Sequence, residues 1–366
     1  MLKAVNSLRL YFCIIKIYKM NNFHSLKVKA IKRQTDKAVQ VTFDIPEILK
    51  STFSFSPGQY ITLSKNIDNE EVRRSYSISS TPSEGLSVVI KAIPDGVFSN
   101  YVNSKLQIGD SINIMPPEGN FIIKDQKSDS DYCAFVAGSG ITPVMSLLKS
   151  VLAKNSTSKF VLVYGNKSPK ETIFFEELLS LQKTYPERLF IENIYSQTQE
   201  NEAHFGRIEK PTVNYITKNK FKALSFSEIF LCGPEPMIEY VQEVLVENGI
   251  DKSKIKFELF YSEKEAEEIK NTDGFTKLKV IVDDEEYELT MSQDDVILDA
   301  ILNKDIDVPY SCQGGICSSC LAKLKVGKAE MRKNQILTDD EVKEGLILTC
   351  QAQPLTSEVV VDYDDI

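Results

Sequence analysis

Four cysteines near the C-terminus, Cys312, Cys317, Cys320 and Cys350, follow the spacing C-x4-C-x2-C-x29-C. Three of them sit in the stretch PYSCQGGICSSCLAKL, with Gly314 and Gly315 between the first two. Three thiolates from one tight loop and a fourth from a later segment is the ligand pattern of a [2Fe–2S] cluster. A loop of this kind must wrap a rigid cluster and aim backbone N–H groups at its sulfurs. Glycines allow the close approach and unusual dihedrals this needs, and Ser311, Ser318 and Ser319 leave room. Zinc is the competing reading. All-cysteine zinc sites are usually built from two short-spaced pairs, and only Cys317 and Cys320 make such a pair here. Disulfides fit less well, because three thiols in one loop cannot pair among themselves without remainder.

A one-electron cluster has to be filled. A nicotinamide delivers two electrons together as a hydride, and a flavin can accept the pair and release it singly. The chain is therefore expected to carry a flavin site and a nicotinamide site. RRSYSISS (73–80) suits the first. Alternation along a strand puts Arg74 and Tyr76 on one face, where the guanidinium can clamp a pyrophosphate and the ring can stack on an isoalloxazine. GVFSNYV (96–102) reads as a helix start, with Gly96 before it and Ser99 among backbone N–H groups suited to phosphate. VAGSGITPVMSLL (136–148) follows an apolar strand and opens a helix. Gly138 and Gly140 let this turn run close to a ligand, and Pro143 suits the first helical turn. The exposed N–H groups there attract a dinucleotide pyrophosphate. A 2′-phosphate needs Arg or Lys just after the second strand, where YGNKSPKETIFFEEL offers Lys167 and Lys170.

The elements that position these residues fall into three segments. Residues 22–124 hold short β-rich runs punctuated by turn signals such as Pro57-Gly58 and Pro116-Pro117, the pattern of an antiparallel barrel. Residues 125–260 alternate strands with helices, which implies βαβ units and a parallel sheet. Both AGSG and CGPE then fall at the carboxyl ends of strands, where such sheets bind ligands. Residues 261–275, YSEKEAEEIKNTDGF, are polar and read as a linker. Residues 276–366 form a third compact domain. Within it FTKLKVIVDDEEYELTM reads as a hairpin turning at Asp283-Asp284, and DDVILDAILNKDI reads as a helix capped by Asp294 or Asp295.

The 366 residues carry a net charge of −9, unevenly spread. From residue 272 onward there are 9 Lys/Arg against 20 Asp/Glu, a net of −11, which leaves +2 for the rest. The acidic C-terminal domain suits docking to a basic protein surface, or simple solubility. Nothing resembles a nucleic-acid-binding patch. Seven cysteines, an odd number with three standing alone, favour a reducing, cytoplasmic setting over a secreted disulfide scaffold. Residues 1–21 read as an extension, a mis-called start or a disordered segment. LYFCII within them is too short to span a bilayer and lacks a cleavage site, so no stable membrane insertion is expected.

Spacing, order and flanks together resemble the plant-type ferredoxin domain, a β-grasp fold, over the last ninety or so residues. R-x-Y-S, G-x-G-x-T-P through Thr142 and Pro143, and FLCGPEPM in this order resemble the ferredoxin–NADP reductase family. The combination resembles reductases of multicomponent oxygenases, as do YGNK, HFGRI and CQAQPLTSEVVVDYD. The resemblance implies FAD, a [2Fe–2S] cluster and NADPH or NADH. It implies that Tyr76 and Ser77 position the flavin ring, and that Thr142 and Cys232, with Gly233 and Pro234, lie beside the nicotinamide. It places Glu258 and Phe260 near the flavin. The implied partner is an oxygenase or epoxidase component with a basic docking surface. Phe175 stands where relatives often carry arginine, and Lys167 lacks arginine's bidentate fork, so cofactor preference transfers poorly. Rival expectations are a reductase serving a different oxygenase, such as an aromatic-ring dioxygenase or a hydroxylase, a zinc-stabilised interaction module without activity, and a general electron carrier with no dedicated oxygenase.

Overall fold

The computed structural model describes residues 23–124, 129–154, 157–260 and 274–366. The expected N-terminal extension, Cys13 and positions 261–273 of the expected linker lie outside the described residues. Two compact units divide the chain, one of them spanning Ser25–Phe260.

This unit opens with six strands, β1 (His24–Thr35), β2 (Ala38–Asp44), β3 (Tyr60–Ile67), β4 (Glu70–Ser77), β5 (Leu86–Lys91) and β6 (Ser111–Ile114). They lie in the order β4-β3-β6-β1-β2-β5. Ile78, just past β4, bridges antiparallel to Val88 of β5, so the two ends of the order meet and the sheet closes. Period-two patterning drives this: Val39, Val41 and Phe43 on β2 point into one core with Ile61 and Leu63 of β3. Helix α1 (Val97–Ser104) adds Phe98 and Val102 to that core. The β3–β4 hairpin pairs eight residues of each strand, from Tyr60 opposite Ser77 to Ile67 opposite Glu70. Its turn is Asp68-Asn69, both with positive φ (52° and 71°), a conformation that Asn and Asp tolerate better than most residues.

The second half of the unit contains β7 (Asp131–Ala137), α2 (Ile141–Lys154), β8 (Phe160–Asn166), α3 (Phe175–Thr184) and β9 (Leu189–Tyr195). It continues with β10 (His204–Phe205), α4 (Lys210–Asn214), β11 (Phe226–Gly233), α5 (Glu235–Glu247) and β12 (Ile255–Leu259). The strands form a parallel sheet ordered β10-β9-β8-β7-β11-β12. Its inner strands are continuous apolar runs because helices cover both faces. The order reverses direction between β7 and β11, the switch point at which ligands bind in such sheets. Helix α3 begins only after Phe174, which takes a left-handed φ of 62° and is buried.

The other unit carries β13 (Phe275–Val282), β14 (Glu285–Ser292), α6 (Ile297–Leu302), β15 (Leu321–Val326) and β16 (Ala329–Met331). It ends with α7 (Asp339–Lys343), β17 (Leu346–Leu348), β18 (Ala352–Pro354) and β19 (Glu358–Asp362). Five of these strands form a mixed sheet ordered β14-β13-β19-β15-β17, and α6 packs Ile297, Leu298 and Ile301 into its core. The Asp283-Asp284 turn forms as expected, with φ of 53° and 61°. The aspartate cap of α6 does not. Val296 precedes the helix and no side chain caps it. Instead the carbonyl of Asp294 accepts from Arg332 and Gln353, which fixes that residue outside the helix. Among the described residues no helix is long and apolar enough to cross a membrane.

Candidate functional site

Strand β4 carries Arg74, Tyr76 and Ser77, opposite Leu63, Ile61 and Tyr60 of β3. The register puts Arg74 and Tyr76 on one face. The Arg74 guanidinium donates to the carbonyl of Arg73 at 2.8 Å. The Tyr76 ring lies 5.8 Å from that of Phe98 on α1, tilted by 33°. Burial pushes the Tyr76 hydroxyl above its usual range, with Arg74 opposing.

At the start of α1, Ser99 is buried and its hydroxyl is committed to the preceding turn. It donates to Gly96 O at 3.2 Å and accepts from Ile93 N–H at 3.3 Å. A Cβ at Gly96 would come within 2.5 Å of both the Ser99 hydroxyl and Ile93. Any larger residue at position 96 would have to displace both side chains. An anion at this helix end meets backbone N–H groups of the first turn rather than the Ser99 hydroxyl.

The turn after β7 begins at Gly138 with φ of +55°. Gly140 lies against the adjacent strand end: a Cβ there would fall 2.2 Å from the Cys232 carbonyl oxygen and 3.0 Å from Gly233 N. The AGSG and CGPE segments thus meet at the switch point, backbone to backbone. Thr142 donates to Ser139 O at 3.0 Å, which ties the turn to the first turn of α2, where Pro143 also sits. Pro234 precedes α5 directly. Tyr164, fully buried on β8, donates toward Gly138 O at 3.0 Å and Ile173 O at 3.3 Å.

Lys91 at the end of β5 was not singled out from sequence. Its Nζ would lie 4.0 Å from a Cβ at Gly138. Burial lowers its pKa; Glu171 opposes this, and the nearby positive charges of Lys167 and Lys37 add to it. Lys91 and Lys167 thus bring positive charge to the glycine turn, one from the barrel and one from the parallel sheet. The only sequence signal was a lysine ending an apolar strand, which is too common to be informative. A further cavity of about 420 Å³, lined by Ser196, Phe205, Gly206, Arg207, Glu209 and Thr212 among others, opens where β9 and β10 end.

Cys232 on β11 pairs in register with Glu258 on β12. Ser77 of the barrel donates to Glu258 Oε2 at 2.9 Å. Part of Glu258 remains accessible, but its carboxyl sits deep among protein atoms. That burial raises its pKa to about 7 against the lowering effect of the Ser77 hydrogen bond. Burial and the neighbouring Glu258 push the Cys232 thiol well up, so it stays neutral. Phe260, immediately beyond β12, is 40% exposed.

In the other unit the four C-terminal cysteines come together. Cys312 interacts with the thiols of Cys317 and Cys350, and Cys350 with that of Cys320. None of the four is in a disulfide. Cys312 is driven strongly down by its thiol neighbours and by the N–H groups of Gly314 and Ile316, while Cys317 and Cys350 are driven up. Four thiols that converge without forming disulfides, with the Gly314 N–H aimed at Cys312 Sγ at 3.4 Å, suit a four-thiolate iron–sulfur cluster.

Three family models match in the same order as the three folded parts. Residues 25–123 match the oxidoreductase FAD-binding domain, residues 135–243 the oxidoreductase NAD-binding domain, and residues 280–355 the 2Fe-2S iron-sulfur cluster binding domain. The chain is 37% identical to one of the subunits of the 1,2-phenylacetyl-CoA epoxidase of Escherichia coli, over 94% of this chain and 99% of that one. It is 33% identical to the ferredoxin reductase component of the 3-ketosteroid-9-alpha-monooxygenase of Rhodococcus rhodochrous, over 92% and 96% of the two chains. Among solved structures it is similar in fold to phthalate dioxygenase reductase, with a TM-score of 0.60, 22% identity and coverage of 93% and 98%. With these three domains in one chain and near full-length similarity to oxygenase reductases, the chain belongs to the family of reductases of multicomponent oxygenases, electron-transfer oxidoreductases that join FAD-binding, NAD-binding and [2Fe–2S] domains in one polypeptide.

Proposed function

We propose that this chain is the reductase component of a phenylacetyl-CoA epoxidase, taking electrons from NADPH, with NADH as the alternative donor. The observation that supports electron transfer at this site is the Ser77–Glu258 hydrogen bond beside Cys232, which joins the barrel strand to the nicotinamide end of the parallel sheet. The full-length similarity to a phenylacetyl-CoA epoxidase component supports the choice of partner. The acidic excess from residue 272 onward supports a partner with a basic docking face.

In this reading residues 22–124 hold FAD, residues 125–260 hold the nicotinamide and residues 276–366 hold the cluster. A bound flavin would supply the conversion of an electron pair into single electrons, and a bound cluster would supply a one-electron site. Arg74 and the first turn after Gly96 hold the flavin diphosphate, with Ser99 bracing that turn. Tyr76 would pack against a bound flavin ring, and the exposed Phe260 would be available to shield it. Gly138, Gly140, Thr142 and Pro143 cradle the nicotinamide dinucleotide's pyrophosphate, with Lys167 supplying positive charge. Cys232, Gly233 and Pro234 form the wall beside the nicotinamide. The neutral Cys232 thiol keeps that wall apolar. Glu258 Oε2, near half-protonation at neutral pH and bonded to Ser77, can hold or release a proton there. Cys312, Cys317, Cys320 and Cys350 hold the cluster.

The test is reconstitution. Purified protein should carry flavin and [2Fe–2S] absorption, reduce cytochrome c with NADPH faster than with NADH, and support turnover of phenylacetyl-CoA by the oxygenase component of the epoxidase. Cytochrome c reduction without epoxidase turnover would sink the partner and keep the reductase. The similarity to the ketosteroid monooxygenase reductase makes a steroid hydroxylase the second partner to test.

A further inference from the structure

The loop that bears Cys312, Cys317 and Cys320 has no regular secondary structure, and Gln313 within it takes a φ of +52°. L-residues seldom adopt that region unless neighbouring groups hold them there. Here the neighbour is Gln351, the residue after the fourth cysteine. It is buried at 8% exposure, and its side-chain amide donates to two carbonyls, Gln313 O at 2.8 Å and Cys350 O at 3.0 Å. Both amide hydrogens are thereby used.

The peptide joining Gln313 to Gly314 is trans and planar. Its carbonyl is the one Gln351 grips. Its N–H, on the opposite side of the same rigid plane, is that of Gly314, and it points at Cys312 Sγ with N···S at 3.4 Å. Fixing the carbonyl fixes the direction of the N–H. Cys312 is the most solvent-accessible of the four cysteines, so water competes for its sulfur most strongly there. Thr349, on the other side of Cys350, donates through its hydroxyl and its N–H to Cys320 O at 3.0 and 3.1 Å. The two residues flanking the distant cysteine therefore hold opposite ends of the loop.

We infer that Gln351 is a positioning residue that sets the reduction potential of the [2Fe–2S] cluster by locking the Gly314 N–H onto the Cys312 sulfur. The inference rests on the cysteine quartet being the cluster ligands. When the cluster takes up one electron, the added negative charge spreads onto its sulfurs. N–H donors to those sulfurs favour the reduced form and raise the potential. Without the Gln351 amide the peptide is free to turn, the bond to Cys312 weakens, and the reduced form is disfavoured.

The experiment uses the full-length holoprotein. Gln351→Met keeps the side-chain volume and removes both donors. Gln351→Asn keeps an amide but is one methylene too short to reach Gln313. Gln353→Met is the control: Gln353 is also buried, and its amide donates to Asp294 O at 2.6 Å rather than to the cluster loop. The expected result is a more negative cluster midpoint in both Gln351 variants, by spectroelectrochemistry, with altered g-values of the reduced cluster in EPR. Iron should also leave faster to a chelator, while reduction of ferricyanide through the flavin is unchanged. A Met variant that loses its cluster while keeping its flavin would agree with the clamp, and the Asn variant then supplies the midpoint. Midpoint and g-values equal to the unmodified protein overturn the inference. So does an equal shift in the Gln353 control. An unmodified protein without iron–sulfur absorption removes the ligand assignment itself, a result distinct from either.

Discussion

Ser77 and Glu258, 181 residues apart in sequence, share a hydrogen bond of 2.9 Å between the barrel and the last strand of the parallel sheet. It joins a hydroxyl at the end of β4 to a carboxyl raised to about 7 by burial. The pH dependence follows from the sign of each influence. Burial raises the Glu258 pKa and the Ser77 bond lowers it. The rate of flavin reduction by NADPH should therefore show an ionisation near pH 7 in stopped-flow measurements. Ser77→Ala should move it to higher pH, and Glu258→Gln should abolish it. For stability, a carboxyl raised on folding favours the folded state below its unfolded pKa. That contribution fades as pH rises through about 7. A profile in which Ser77→Ala shifts the ionisation downward would contradict the geometry.

Gly140→Ala tests the contact at the switch point. The new methyl would sit 2.2 Å from Cys232 O and 2.5 Å from Cys232 C, both backbone atoms that cannot swing aside. Overpacking of this kind costs about 1–3 kcal/mol. We expect a lower denaturation midpoint and a KM for NADPH raised severalfold, with the visible spectrum of the cluster unchanged. A variant as stable as the parent, with the same KM, would mean that the turn relaxes freely.

Much of this arrangement is legible in the sequence, and the reasons differ by residue. The cysteine spacing, the glycines of the β7–α2 turn and the Asp283-Asp284 hairpin are local features, and local chemistry dictates them. Lys91, Tyr164 and Gln351 were not singled out, because each acts on a segment distant in sequence. Nothing near Gln351 in the chain signals that its amide will meet Gln313. The place of Ser99 at a helix start, among backbone N–H groups suited to phosphate, is visible in the sequence. Its engagement with Ile93 and Gly96 is not, since it depends on how the loop closes. The expected cap of α6 by Asp294 or Asp295 does not form, and Arg332 and Gln353 reach the Asp294 carbonyl from far along the chain.

Lys149 on α2 is buried and bridges Glu84 of the barrel at 2.7 Å and Glu177 of α3 at 3.2 Å. Beside it Ser146 donates to Ser80 O at 2.6 Å. These bonds tie the two halves of the first unit together. Glu84 is pulled below its usual pKa by the hydrogen bond from Lys149 and by bonds from Thr81, against the opposing effect of burial. Its contribution to stability is present above the ordinary carboxylate pKa and is lost as pH falls through the lowered one. Lys149→Met should cost about 1–3 kcal/mol, between the limits for exposed and buried pairs. It should move acid unfolding to higher pH, read by circular dichroism. Lys149→Arg should recover part of the loss. An unchanged acid midpoint in the Met variant would show that the bridge is not stabilising.

Replacing the distant cysteine separates the two electron-transfer stages. Cys350→Ser removes one of the four thiols that converge in the C-terminal unit, while the residues of the first unit are untouched. Iron–sulfur absorption should fall to a small fraction of the parent's, and cytochrome c reduction should drop at least tenfold. Reduction of ferricyanide, which can accept electrons from the flavin directly, should stay within about twofold. The buried Tyr363 hydroxyl donates to Thr349 at 2.8 Å, and Thr349 reaches Cys320 O in turn, so the cysteine-bearing segments keep this link in the variant and the unit should remain folded. A Cys350→Ser protein with full iron content and undiminished cytochrome c reduction would show that the fourth ligand lies elsewhere. A parent protein that binds zinc instead, with no visible absorption beyond flavin, would replace electron relay through this unit with a purely structural role.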